Sequence, residues 1–169
     1  MSWEALENVI ARRVLDDALR VSGKLAELGI PHALVGGLAV GLHGHPRATK
    51  DVDFIVGAEA FATTSPLLTF REELATIARW GVVDLIAALP EDPILCTDLA
   101  QATPGSVPVV GVEVLVVMKL RASRSQDLAD VEALVRAGAD VAAILGFIRT
   151  HEPKHVAAFS RIAQKALLE

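Results

Sequence analysis

The apolar positions of this chain follow three successive patterns. From Trp3 to Leu28 they recur at helical spacing, with Trp3, Leu6, Val9/Ile10, Val14, Leu19, Leu25 and Leu28 on one stripe. Gly29 and Pro31 stop that stripe, which predicts a helix over residues 3–28. Short apolar runs come next. They predict strands over residues 32–35, 50–56 and 82–86, with Gly36-Gly37 turning the chain into a short helix over 38–42 and residues 43–49 forming a loop. Residues 58–80 carry a weaker pattern, in which a helix over 72–79 is predicted. Val107–Val110 and Val112–Val116 read as two further strand segments separated by Gly111. Beyond Val117 the period is helical again: Lys119 to Ala122, Gln126 to Arg136, and a helix capped by Asp140 that reaches Thr150. A last helix starts at Pro153 with Val156, Phe159, Ile162/Ala163 and Leu167 on one face.

No repeat, low-complexity tract or linker interrupts the 169 residues. The expectation is one α/β (α+β) domain over 1–169, with a mixed sheet of short strands flanked by helices. Within it stand the N-terminal helix, a core of about 31–117 and a helical part of about 118–169.

Composition narrows the class. Hydrophobic residues are 52% of the chain and mean hydropathy is +0.44, yet aromatics are 4% and Tyr is absent, so the core is aliphatic. A net charge of −5 and a pI near 5.5 argue against broad electrostatic binding to nucleic acid, without excluding a local basic patch. The single cysteine, Cys96, cannot form a disulfide within the chain and reads as a buried thiol in a reducing cytoplasm. The charge-free stretch between Leu28 and Arg47 is broken by prolines, glycines and histidines, a poor membrane span. Met1-Ser2-Trp3-Glu4 lacks the basic region of a leader. A cytoplasmic protein without a membrane segment is expected.

Candidate chemistry begins at Asp51-Val52-Asp53. Residues i and i+2 of a strand share a face, so the two carboxylates stand roughly 6.6 Å apart along the backbone. Like charges that close repel unless a cation lies between them. Hard cations such as Mg²⁺ take oxygen ligands and are completed by substrate phosphates. A solvent-exposed strand start would also accept the pair. Upstream, Gly36-Gly37 at a strand-to-helix turn permits close approach of a ligand to the backbone, and helix N–H groups favour anions. A plain tight turn needs the same residues.

Asp84 is one carboxylate inside the apolar run Val82–Ile86, and a buried charge needs a partner or a task. It lies 31 residues after Asp53, enough for a crossover to a neighbouring strand. Three carboxylates on one sheet edge suit a two-metal clamp for phosphoryl transfer, and Asp84 is placed to take a proton from an attacking hydroxyl.

Arg47 and Lys50 flank Thr49 just before the aspartate pair, and Lys119, Arg121 and Arg124 come later. Arg47 and Lys119 are the foremost candidates to neutralise a triphosphate. Asp127 and Asp130 share a helix face, with Arg124 in reach of Asp127; a structural network and a catalytic role are both open. His43-Gly44-His45 reads as a loop beside phosphate rather than a zinc site, since no cysteine is near.

Val35-Gly36-Gly37, Asp51-Val52-Asp53 and Asp84, in that order, resemble the nucleotidyltransferase superfamily typified by DNA polymerase β and the aminoglycoside nucleotidyltransferases. The run VGGLAVGLHGHPRATKDVDFIV and the later LVVMKLRASRSQDLADVEALV look closer to small bacterial nucleotidyltransferase-like proteins, including abortive-infection toxins of toxin–antitoxin systems. The resemblance covers about Val35 to Leu134. It implies a nucleotidyltransferase fold and transfer of a nucleoside monophosphate from a nucleoside triphosphate to an acceptor hydroxyl on RNA, protein or a small molecule. It also implies that Gly36, Gly37, Arg47, Thr49 and Lys119 hold the nucleotide. Asp51, Asp53 and Asp84 would bind two Mg²⁺, with Mn²⁺ as a substitute, and Arg124, Asp127 and Asp130 would support the site. A cognate antitoxin or other partner protein follows from the same likeness. So does the other class of reading, a weakly active or inactive regulatory subunit of a two-protein module. The first and last helices each carry an apolar stripe, so self-association stays open.

Overall fold

The computed structural model describes residues 3–62, 69–79, 82–103 and 105–168. Helices α1 (Trp3–Leu6) and α2 (Arg12–Glu27) lead into β1 (His32–Val35) and α3 (Gly36–Leu42). Strand β2 (Asp51–Val56) and the 3₁₀ segments Ala58–Ala60 and Glu72–Arg79 precede β3 (Val82–Ala87). Then come α4 (Pro93–Cys96), α5 (Val112–Ala122), α6 (Ser125–Arg136), α7 (Val141–His151), a 3₁₀ turn Pro153–His155 and α8 (Val156–Leu168). Among the described residues no helix is long and apolar enough to cross a membrane.

The three strands form one mixed sheet in the order β1-β2-β3. β1 runs antiparallel to β2 with Val35 opposite Asp53, and β2 runs parallel to β3 with Asp53 opposite Asp84. The mixed α/β class and the short mixed sheet are as expected. Strand alternation then divides the core in two. Leu34, Val52, Phe54 and Val56 pack with α1, α2 and the segment Glu72–Arg79 on one face. Ala33, Val35 and Ile55 pack with α3 to α8 on the other. The outer edge of β1 is closed by His32 and Ala100, which exchange backbone hydrogen bonds (3.0 and 3.3 Å), and by Leu34, which bonds Pro108 and Val110 (2.7 and 3.1 Å).

Four expectations are corrected. The first helix is broken at residues 7–11, because Leu6 and Ile10 are both drawn into the core, where they lie near Gly41. Val107–Val110 contributes only the bridge Leu34–Val109 rather than a strand. Val112–Val116 is helical, the first half of α5. Its β-branched residues favour strand locally, but Val114, Leu115, Val116 and Val117 are all buried, and a helix enclosed on every side shows no amphipathic period. In α8, Phe159 and Ala163 are buried as expected while Leu167 is 69% exposed.

Smaller expectations hold: the Asp140 side chain accepts from the Ala143 N–H at 2.9 Å and caps α7. Residues 72–79 are helical, though as 3₁₀. A fifth expectation is corrected: Cys96, expected buried, is exposed, with its thiol 3.6 Å from the Leu89 carbonyl. Part of the weakly patterned region, residues 63–68 and 80–81, lies outside the described residues.

Candidate functional site

A cavity of about 720 Å³ opens between the sheet, the glycine turn, α5 and α6. Asp51, Asp53 and Asp84 line it from the sheet, Gly36 and Gly37 from the turn, and Arg47 and Thr49 from the loop before β2. Lys119 enters from α5, Arg124 and Asp127 from α6. Lys50, Arg121, His43, His45 and Asp130 are not part of the lining; Asp130 is fully buried and bonded to Arg47 and Lys119, which are.

Register explains the acids. Asp51 and Asp53 alternate with Val52 and Phe54, whose side chains are buried on the opposite face. Because Asp53 pairs with Asp84 across parallel strands, the two carboxylates leave the sheet side by side on the same face. Asp51 and Asp84 are exposed and Asp53 is half-buried. Burial pushes the Asp53 carboxyl up to about 6, with further upward pressure from Asp84 and Asp51 and a weaker opposing pull from Lys119 and Arg124.

The glycines are required by what stands over them. Gly36 has φ +68°, and a Cβ there would sit 1.8 Å from Oδ2 of Asp53. A Cβ on Gly37 would meet Thr49 Oγ1 at 2.9 Å. The pair therefore gives Asp53 and the Arg47–Thr49 loop room to lie against the turn. It is less an open anion seat than a turn covered by a carboxylate, so an anion arriving here needs a cation beside Asp53.

The basic residues are engaged. Arg47 donates to Asp130 through Nε (2.6 Å) and Nη2 (2.8 Å). Lys119 Nζ stands 2.9 Å from Asp127 and 2.8 Å from Asp130. Arg124 Nε donates to Asp127 at 2.7 Å, and Gln126 Nε2 to Asp130 at 3.0 Å. Burial alone would raise the Asp130 carboxyl; the bonds from Arg47, Lys119 and Gln126 reverse this and hold it at about 2. Asp127 is likewise held low by Arg124 and Lys119 against its burial. Three cations face two carboxylates, so the cluster retains one positive charge, and Lys119 keeps one donor beyond the two it uses. Asp127 and Asp130 are thus tied into a network of the chain's own cations, with Asp127 at the cavity lining.

His43 does not join the site. Its Nε2 donates to the Val110 carbonyl at 2.7 Å and ties the loop to the segment beside β1; neither His43 nor His45 lines the cavity. Sequence reasoning missed Gln126, whose i, i+4 relation to Asp130 was a readable signal. It also missed Leu85, Ile86, Leu115, Met118 and Ala122, the apolar part of the lining.

Could these residues hold a divalent cation? Among the described residues no three His, Cys, Asp or Glu side chains gather closely enough to ligate one ion by themselves. Mg²⁺, however, is commonly held by one or two carboxylates with substrate phosphates and water supplying the rest. Adjacent Asp53 and Asp84, with Asp51 on the same face and no salt bridge reaching any of them among the described residues, fit that kind of site. Compared with known proteins, the sequence matches no family model and no curated protein.

Proposed function

We propose that this chain is a Mg²⁺-dependent nucleotidyltransferase with a nucleotidyltransferase fold. The observation that carries the reading is the pairing of Asp53 with Asp84 on parallel strands, beside Asp51, in a cavity whose other wall holds Lys119, Arg47 and Arg124. Carboxylates suit the cation and cations suit the triphosphate, so the two walls match the two halves of a metal–nucleotide complex. Bound Mg²⁺ would neutralise the phosphates and polarise the α-phosphorus.

The chain's own residues then divide the work. Asp51, Asp53 and Asp84 hold the cation. The residual positive charge around Lys119 and Arg47 faces the triphosphate. Asp84, the exposed member on the edge strand, accepts the proton of the incoming hydroxyl. The acceptor oxygen bonds to the α-phosphorus, the bond to the β-phosphate bridging oxygen breaks, and pyrophosphate leaves. A toxin-like role beside a partner protein in the cytoplasm is proposed on the sequence resemblance alone.

One observation favours a second reading. Because the described residues do not assemble a complete metal cage, a nucleotide-binding regulatory subunit with little turnover is the runner-up. Calorimetric titration of ATP, GTP, CTP and UTP with Mg²⁺, for wild type and Asp53→Asn, tests the shared premise. No binding by the wild type, or equal binding by the variant, refutes the site. Transfer of α-labelled nucleotide onto RNA, protein and small-molecule acceptors separates enzyme from binder.

A further inference from the structure

Part of the cavity lining is aliphatic. On α5, Leu115, Met118 and Ala122 recur at helical spacing, on the same stripe as Lys119. On β3, Ile86 follows Asp84 on the same face into the lining, while the Leu85 side chain packs on the opposite face with Phe54. Ile86 and Met118 are only half-buried and Ala122 is exposed, whereas Leu115, Val117 and Leu120 of α5 are sealed in the core. The apolar surface is therefore open to the cavity. The cations and the amide nitrogen around it bond the α6 acids: Arg47 and Gln126 bond Asp130, Arg124 bonds Asp127, and Lys119 bonds both.

We infer that this aliphatic wall seats the nucleobase, and that it holds the base by burial without reading its hydrogen-bonding edge, so the site accepts nucleoside triphosphates of any base. The inference rests on the nucleotide reading above. A nucleoside triphosphate is charged at one end and has broad apolar faces at the other, and the cavity is divided in the same way. Its volume lies within the range, about 300–1,000 Å³, that encloses one small ligand. The reverse orientation would press the triphosphate against Ile86, Met118 and Ala122, side chains that offer its charge no donor.

Strong selection among bases needs a fixed donor or acceptor aimed at the base edge. Sites built that way reject a wrong substrate by about 10⁴–10⁵-fold, while apolar pockets manage only about 10–200-fold. Adenine and guanine offer similar faces to an aliphatic wall and differ at their edges. A wall without edge contacts does not separate them, and pyrimidines lose only the area they lack.

The test is calorimetric titration of the full chain with the Mg²⁺ complexes of ATP, GTP, CTP, UTP and inorganic tripolyphosphate. Wild type is compared with Met118→Ala and, at the exposed end of α5, Ala122→Asn. The expected result is ATP and GTP affinities within about fivefold of each other and pyrimidines weaker by no more than about tenfold. Each variant should weaken all four nucleotides by about fivefold or more and leave tripolyphosphate unchanged. The inference is overturned by a preference above about tenfold between ATP and GTP, by nucleotide affinities the variants do not change, or by equal losses for tripolyphosphate. Should wild type bind neither tripolyphosphate nor any nucleotide, the nucleotide reading fails first and takes this one with it.

Discussion

Asp127 and Asp130 on α6 are neutralised by the chain's own cations; Asp51, Asp53 and Asp84 on the sheet, around the same cavity, are not. Both groups are aspartates at short spacing; the sequence reads the sheet acids as a metal site and leaves the α6 pair open between a structural and a catalytic role. Yet one is closed by Arg47, Lys119, Arg124 and Gln126, and its carboxyls are held low. In the other, burial and then repulsion from Asp84 and Asp51 push Asp53 up to about 6. Internal pairing marks a cluster that holds the fold together. Carboxylates that repel at a cavity wall are what the proposed cation would relieve.

The largest expected effect separates the two groups by activity. Asp84→Asn should lower nucleotidyl transfer by about 10²–10⁴-fold, the usual contribution of a general base, with nucleotide still bound. Turnover within tenfold of wild type, measured with labelled nucleotide and a working acceptor, would remove Asp84 from the mechanism.

Next comes stability. Asp130→Ala leaves Arg47 without its bidentate partner and Lys119 without one of two, in a buried setting, and should cost about 3–5 kcal/mol in chemical denaturation. The acid limb reports the same residue. Its lowered carboxyl supplies about 2 kcal/mol of stability that is present above the ordinary range near pH 4 and lost as pH falls toward 2. A wild-type stability profile that stays flat over that window would show that the network is not coupled to folding.

Asp53 should behave oppositely. Asp53 is raised, so between about pH 4 and 6 the folded chain keeps a proton that the unfolded chain has released, and stability falls as pH rises through that window. Asp53→Asn removes the penalty and should stabilise the metal-free protein by about 2 kcal/mol at pH 7, with no gain below pH 4. Mg²⁺ should stabilise wild type, by about 2.7 kcal/mol at a hundredfold excess over its Kd, and do little for the variant. Destabilisation of metal-free protein by Asp53→Asn would erase the contrast between the clusters. The smallest effect is at Arg124, whose side chain is 78% exposed: Arg124→Ala should change stability by less than about 1 kcal/mol.

Much of the site was legible because strand alternation is a strict rule. Once β2 is recognised, Asp51 and Asp53 must share a face and Val52 and Phe54 must be buried opposite them, as they are. Gly36-Gly37 announced a sharp turn for the same kind of local reason. What was not legible is pairing between distant elements. Arg47 and Lys119 read as free cations for a phosphate, and nothing local says that Asp130 takes both. The helix α5 was misread over Val112–Val116 because a fully enclosed helix lacks a polar side, and with it went the view of Leu115, Met118 and Ala122 as one cavity stripe.

The sequence by itself determined which residues share a strand face or a helix face, since backbone geometry sets those periods whatever surrounds them. Asp51 with Asp53, and Asp127 with Asp130, follow from that alone. Tertiary structure decided which pair would be neutralised. Charge pairing depends on distances between segments as far apart as Arg47 and Asp130, and those distances exist only after the sheet and the helices have packed.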